Sequence, residues 1–156
     1  MYLVDTDVLS AGAPTKAVAS PALSAWMDRN SLGLYLSVIT VAELEDGIAK
    51  SRRLGATRKA DRLAEWLQTL LHLYGARVLP VDLDVARLTG ALADRARAAG
   101  QAPGFADLAI AGTAEARGYT ILTRNLRHFG RLGVPALDPF ETVPAPIACG
   151  TPRLTG

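Results

Sequence analysis

The chain has 156 residues, 49% of them apolar, with 17 Lys and Arg against 15 Asp and Glu for a net charge of +2. That size and apolar content suit one domain with one core, and a charge so close to balance names no partner by itself. The single cysteine, Cys149, excludes an internal disulfide and a cysteine-built zinc site, and no basic leader or bilayer-length apolar run is present, so a soluble protein of the reducing cytoplasm with no membrane contact is expected.

In chain order, short β-type runs alternate with helical patterns, the signature of an α/β fold with a parallel sheet flanked by helices. A strand is expected near residues 2–5, ending at Asp5, with a helix starting around Thr6 to Leu9. A second strand near 33–37 runs into Thr40-Val41-Ala42-Glu43. Leu63, Trp66, Leu67, Leu70, Leu71 and Tyr74 then recur at helical spacing and define an apolar stripe. A third strand near 77–81 precedes a helix capped by Asp82 or Asp84, with Val85, Leu88 and Leu92 inward. The helix from about 104 to 117 is rich in Ala and Gly112, small enough for close packing in the centre of the fold. Gly118 suits the left-handed position that ends it. A fourth strand near 119–123 and an edge strand near 134–137 complete a sheet of four to five strands. The domain is expected over 1–142, and the Pro- and Gly-rich tail over 143–156 cannot build a core and reads as disordered or loosely attached.

Asp5, Glu43, Asp107 and Asn125 each fall where an apolar strand stops or a helix begins. In an open α/β sheet the crevice beyond the carboxyl ends of the strands is where ligands bind, so these distant residues can share one site. Converging carboxylates repel, and a cation relieves the cost. Magnesium is held by one or two carboxylates plus waters and phosphate oxygens, and it activates water for phosphodiester hydrolysis. Each residue also has a plainer explanation. Asp5 can cap the helix after it, Asp107 sits in a first turn that favours any carboxylate, and Asn125 can be a turn residue. Thr40-Val41-Ala42-Glu43 reads as a capping box, with Glu43 bonding back to the Thr40 amide. Of the two basic bunches, Arg52, Arg53, Arg58, Lys59 and Arg62 read at least as well as a solvated helix face. Arg124, Arg127, His128 and Arg131 lie beside Asn125, where guanidinium forks suit phosphate.

Met1-Tyr2-Leu3-Val4-Asp5-Thr6-Asp7-Val8-Leu9-Ser10 resembles the opening of PIN-domain proteins, especially VapC-type toxins of bacterial toxin–antitoxin pairs. Ser37 to Gly47 is similar to their second motif, Asp107-Leu108-Ala109-Ile110-Ala111 to their third, and Leu122-Thr123-Arg124-Asn125-Leu126-Arg127-His128-Phe129 to their fourth, in order over residues 1 to about 140. The resemblance implies a PIN-like three-layer fold and a magnesium-dependent endoribonuclease. Asp5 and Asp107 would be metal ligands, with Glu43 and Asn125 completing the catalytic set. Thr6, Thr123, Arg124, Arg127 and His128 would contact substrate. It also implies a cognate VapB-type antitoxin, an RNA substrate such as transfer RNA, a homodimer, and contact with DNA only through the antitoxin. Position 7 is Asp where the family commonly has Asn or Ser, and Asn125 and His128 stand where many members carry an acid.

Two other functions fit parts of the chain. Asp5-Thr6-Asp7 after a strand also opens haloacid-dehalogenase-type phosphatases, but here Asp107 precedes Thr123, the reverse of that family's order, and the only lysines are Lys16, Lys50 and Lys59. A non-catalytic RNA- or partner-binding module is the other alternative, against which stand the retained Asp5, Glu43 and Asp107.

Overall fold

The computed structural model describes residues 1–16 and 20–147. Five strands, β1 (Tyr2–Val4), β2 (Leu34–Ser37), β3 (Val78–Leu79), β4 (Thr120–Leu122) and β5 (Ala136–Leu137), form one sheet in the order β3-β2-β1-β4-β5. Every neighbouring pair is parallel. Seven α-helices cover it: α1 (Thr6–Ala11), α2 (Pro21–Arg29), α3 (Val38–Arg53), α4 (Thr57–Tyr74), α5 (Leu83–Ala98), α6 (Phe105–Arg117) and α7 (Leu126–Arg131). This is the α/β architecture expected from the sequence.

Strand side chains alternate between faces, and the core divides accordingly. Val4, Leu36 and Leu122 pack with α1, α2, α3 and α4 through Leu9, Leu23, Ile48 and Leu67. Leu3 and Ile121 pack the other way, against Leu92, Ile110, Ala114 and Phe129 of α5, α6 and α7. On α6, seven consecutive residues from Leu108 to Ala114 are buried. A Cβ at Gly112 would sit 2.5 Å from Thr89 Oγ1 and 3.1 Å from the Val85 carbonyl, so glycine is what lets α5 and α6 approach so closely. Gly118, at φ 64°, ends α6 in the left-handed region as expected.

Three local readings change. The capping box at Thr40 does not form, because α3 starts three residues earlier: Ser37 is its N-cap and accepts from the Ile39 amide at 3.2 Å. Thr40 is instead buried, with no hydrogen-bond partner for its Oγ1. Helices α2 and α7 were not expected, although Ser20 capping the Leu23 amide with Pro21 at the first helical position is a recognisable start signal. After Phe140 the chain returns to the body, where the Ile147 amide donates to Asn30 Oδ1 at 2.8 Å. The Ile147 side chain there occupies the space that a Cβ on Gly33 would need. The rest of the tail, with Cys149, lies outside the described residues.

A candidate metal centre at the sheet's switch point

The chain runs outward through β1, β2 and β3, then returns to the other side of β1 to lay down β4 and β5. Strand order therefore reverses between β1 and β4, which opens a crevice at their carboxyl ends. Asp5 follows β1 and Thr123 follows β4, and the Asp5 amide bonds the Leu122 carbonyl across the gap at 3.0 Å. Two of the expected residues are thus brought together by topology alone.

Asp5 is 7% exposed, and both its oxygens are engaged. Oδ1 accepts from the Thr6 amide at 2.8 Å, so Asp5 does cap α1, and Oδ2 accepts from Thr123 Oγ1 at 2.7 Å. Thr6 Oγ1 donates in turn to Glu43 Oε2, which joins α3 to the site. On the other side Thr123 Oγ1 accepts from the Asn125 amide at 2.9 Å. The Asn125 carboxamide lies 2.8 Å from His128 Nδ1, and the same ring nitrogen is 3.1 Å from Asp107 Oδ2. One nitrogen cannot accept from an amide and donate to a carboxylate at once. The carboxylate fixes the proton on Nδ1, so Asn125 meets it with its carbonyl oxygen. Glu43, Thr6, Asp5, Thr123, Asn125, His128 and Asp107 are therefore one continuous hydrogen-bond chain.

Burial pushes the Asp5 carboxyl up to about 6, partly opposed by the Thr123 hydroxyl, and the neighbouring charges of Asp7 and Glu43 raise it further. Asp7 is an addition to the expected site. Its Oδ2 accepts from the Arg124 amide at 3.0 Å, while its Oδ1 is buried without a partner among the described residues. Burial raises its carboxyl as well. The signal was the Asp-x-Asp spacing after β1. Arg124 and Arg127 are both exposed, and the Arg124 guanidinium lies over the Phe140 ring, 5.2 Å from its centroid.

These donors suit a small hard cation. The charges acting on buried Asp5 are acidic, and an orphaned carboxylate oxygen lies two residues away. Among the described residues no three His, Cys, Asp or Glu side chains stand close enough to cage an ion by themselves. Magnesium does not require such a cage, because it keeps several waters and takes one or two carboxylates. Glu43 reaches the centre through Thr6.

The first basic bunch is structural where its contacts are defined. Arg52 pairs with Asp61 at 3.0 Å, and Arg62 donates to the Pro14 carbonyl at 2.7 Å. No helix among the described residues is long and apolar enough to cross a membrane.

Comparison with known proteins places this arrangement. Residues 2–134 match the family model described as PIN domain. The chain is 37% identical to the plasmid stability protein StbB of Pseudomonas syringae pv. tomato and 36% identical to the VapC ribonuclease Y4jK of Sinorhizobium fredii. Each match covers 90% of this chain and 99% of the relative. The crystal structure of FitAcB from Neisseria gonorrhoeae superimposes with a TM-score of 0.76 at 35% identity, covering 90% of this chain and 99% of that one. With four ordered motifs on one hydrogen-bonded network at the switch point, the chain belongs to the PIN-domain family, among its VapC-type members.

Proposed function

We propose that this protein is a divalent-metal-dependent endoribonuclease, the toxin of a toxin–antitoxin pair, hydrolysing RNA phosphodiester bonds at the Asp5 end of the network. The observation that carries this reading is Asp5 itself, a buried carboxylate at the switch point with only acidic charges acting on it. Asp5 and Asp107 are the residues that would hold magnesium, with manganese as a substitute. When bound, the ion supplies charge neutralisation on the phosphate and an activated water.

The protein's own residues fix the geometry. Thr6 and Thr123 hold the two Asp5 oxygens from opposite sides, so the carboxylate cannot rotate away. Asn125 and His128 orient Asp107. Glu43, kept in place by Thr6 Oγ1, adds a third negative charge and a proton acceptor at the edge of the crevice. The dehalogenase-type alternative is disfavoured by the match of residues 2–134 to the PIN-domain model and by the order of Asp107 before Thr123.

A partner reading goes with the enzyme. A groove of about 520 Å³ runs beside α1, α2 and α4 and is lined by Val8 and Leu23 together with Trp66, Leu70 and Tyr74 of the expected stripe. It would receive an apolar segment of a VapB-type antitoxin, through which any contact with DNA would be made. Leu67 of the stripe is fully buried and belongs to the core. Exposed Leu83 and Phe105 are compatible with a homodimer. The proposed setting is the cytoplasm, with transfer RNA the first substrate to try.

Incubation of the purified chain with RNA, with magnesium and then with excess chelator, tests the enzyme. Cleavage that needs the metal and disappears in Asp5→Asn is expected. Metal-independent cleavage, or equal activity in that variant, defeats the reading.

A further inference from the structure

We propose that the cleft beside Glu43 is a nucleotide subsite, seating one unstacked base and its phosphate from single-stranded RNA next to the scissile bond. The inference rests on the ribonuclease reading and adds to it where the strand goes. The cleft encloses about 250 Å³, and its lining includes Thr6 and Glu43, the residues that join α3 to the acidic network. A strand leaving that network therefore enters this cleft first.

Gly47 carries the next step. It lies in the middle of α3, one turn beyond Glu43 on the same helical face, and it lines the cleft. Glycine weakens a helix interior relative to alanine, so a packing reason is the usual explanation. Here a Cβ built at Gly47 meets nothing within 4 Å among the described residues, as is also true of Gly90 in α5, but Gly47 lies on the wall of this cleft and Gly90 does not. This differs from Gly112, whose Cβ would collide with Thr89. The volume withheld at Gly47 is open cleft.

The remaining walls match a nucleotide. Trp66 offers a half-buried aromatic ring on the wall shared with the groove beside α1, α2 and α4, and the buried Leu44 and Ile48 form an apolar floor. Lys16 and Lys59 also line the cleft, are exposed, and have no ion-pair partner among the described residues. Single-stranded RNA is recognised by such pairings of aromatic platform and basic phosphate contact. A basic peptide side chain would instead face two lysines.

The test uses the full chain and a fluorescein-labelled oligoribonucleotide of mixed sequence. Affinity is read by anisotropy in chelator, and cleavage kinetics are read in magnesium. Gly47→Leu fills the cleft and should weaken RNA binding roughly tenfold, the loss of about one stacked base, with KM rising and kcat retained. Gly47→Ala, which favours the helix, should keep or raise the thermal midpoint while weakening binding less. The surface double variant Lys16→Gln, Lys59→Gln, whose folding is not in question, should make log affinity against log salt shallower by about 1.4, or 0.7 per contact. Unchanged affinity in folded Gly47→Leu, or an unchanged salt slope in the double variant, overturns the subsite while wild-type cleavage leaves the enzyme standing. Normal RNA kinetics with lost inhibition by a copurified partner would also overturn it, by assigning the cleft to a peptide. A wild-type chain that neither binds nor cuts RNA removes the ribonuclease reading and the subsite together.

Discussion

The two ends of the hydrogen-bond network are built differently, although each centres on an aspartate. Asp5 is 7% exposed, and burial, with the charges of Asp7 and Glu43, lifts its carboxyl to about 6 even though hydrogen bonds to both its oxygens pull the other way. The Asp107 side chain is 26% exposed and rests on His128 in the first turn of α6, where the helix dipole favours negative charge. Burial places an electrostatic cost on the Asp5 end. Depth of burial, rather than the number of acids, decides where a cation is most wanted.

The largest effect that tests this contrast is on cleavage. Asp5→Asn and Asp107→Asn are both expected to abolish metal-dependent cleavage, because each keeps shape but removes charge. They should part company in stability without metal. Asp5→Asn removes a carboxylate that burial lifts from its ordinary 3.8 to about 6, so chelator-treated protein should gain up to roughly 3 kcal/mol near pH 7. Asp107→Asn should stay within about 0.5 kcal/mol of wild type. Equal shifts in chemical denaturation would erase the distinction between the ends, and full activity in either variant would remove that residue from the site.

The same asymmetry appears as a pH dependence. The folded Asp5 carboxyl, at about 6, binds its proton more tightly than the unfolded one at 3.8. Its contribution to stability is therefore fully present below about 4 and is lost as pH rises through about 6. Asp7, also raised by burial, adds in the same direction. Metal-free protein should thus lose stability across that window, and Asp5→Asn should flatten the loss. Magnesium should raise the thermal midpoint more at pH 7 than at pH 5, since a ligand stabilises in proportion to its affinity for the folded state. A magnesium increment independent of pH would contradict the placement of the ion at Asp5.

Much of this was legible in the sequence because the sheet is parallel and buried. Runs such as Leu3-Val4 and Ile121-Leu122 feed both core layers and stand out as strands, and the motif residues follow their ends. What the pattern could not show was which atoms meet. Asp5 and Thr123 are 118 positions apart and touch only because β4 pairs with β1. The start of α3 was misplaced for a local reason: Ser37 and Thr40 both precede suitable helical residues, and it is Ser37, still in extended backbone at the end of β2, whose hydroxyl takes the Ile39 amide. Asp7 was visible as a departure from the family, but its orphaned oxygen depends on surroundings that spacing does not encode.

That misplaced cap changes what Glu43 variants should do. With Ser37 capping α3, Glu43 contributes no end-capping bond, and its defined contact is the Thr6 hydroxyl. Glu43→Gln and Glu43→Ala should both fold within about 0.5 kcal/mol of wild type, as expected for a residue on the exposed side of a helix. Both should lose cleavage, and Ala should not be the less stable by the 0.5–2 kcal/mol or so of a lost cap. Normal cleavage by the Gln variant would return Glu43 to a positioning contact for Thr6.

The smallest expected effect lies on the basic edge beyond Asn125, and it separates two neighbouring arginines. Arg127 is exposed, whereas the Arg124 guanidinium stacks on Phe140 at 5.2 Å and its amide is tied to Asp7. If both meet RNA phosphates, each Ala variant should make the salt dependence of RNA binding shallower by about 0.7. Only Arg124→Ala should also cost stability, about 0.5–1 kcal/mol for an exposed cation–π contact, because the backbone bond to Asp7 survives the substitution. Anisotropy titrations over a salt series, paired with denaturation curves, read both quantities on the same samples. An unchanged slope in the double variant with the stability loss intact would make Arg124 a strap that holds the Phe140 segment against the site, and would move phosphate binding away from this edge.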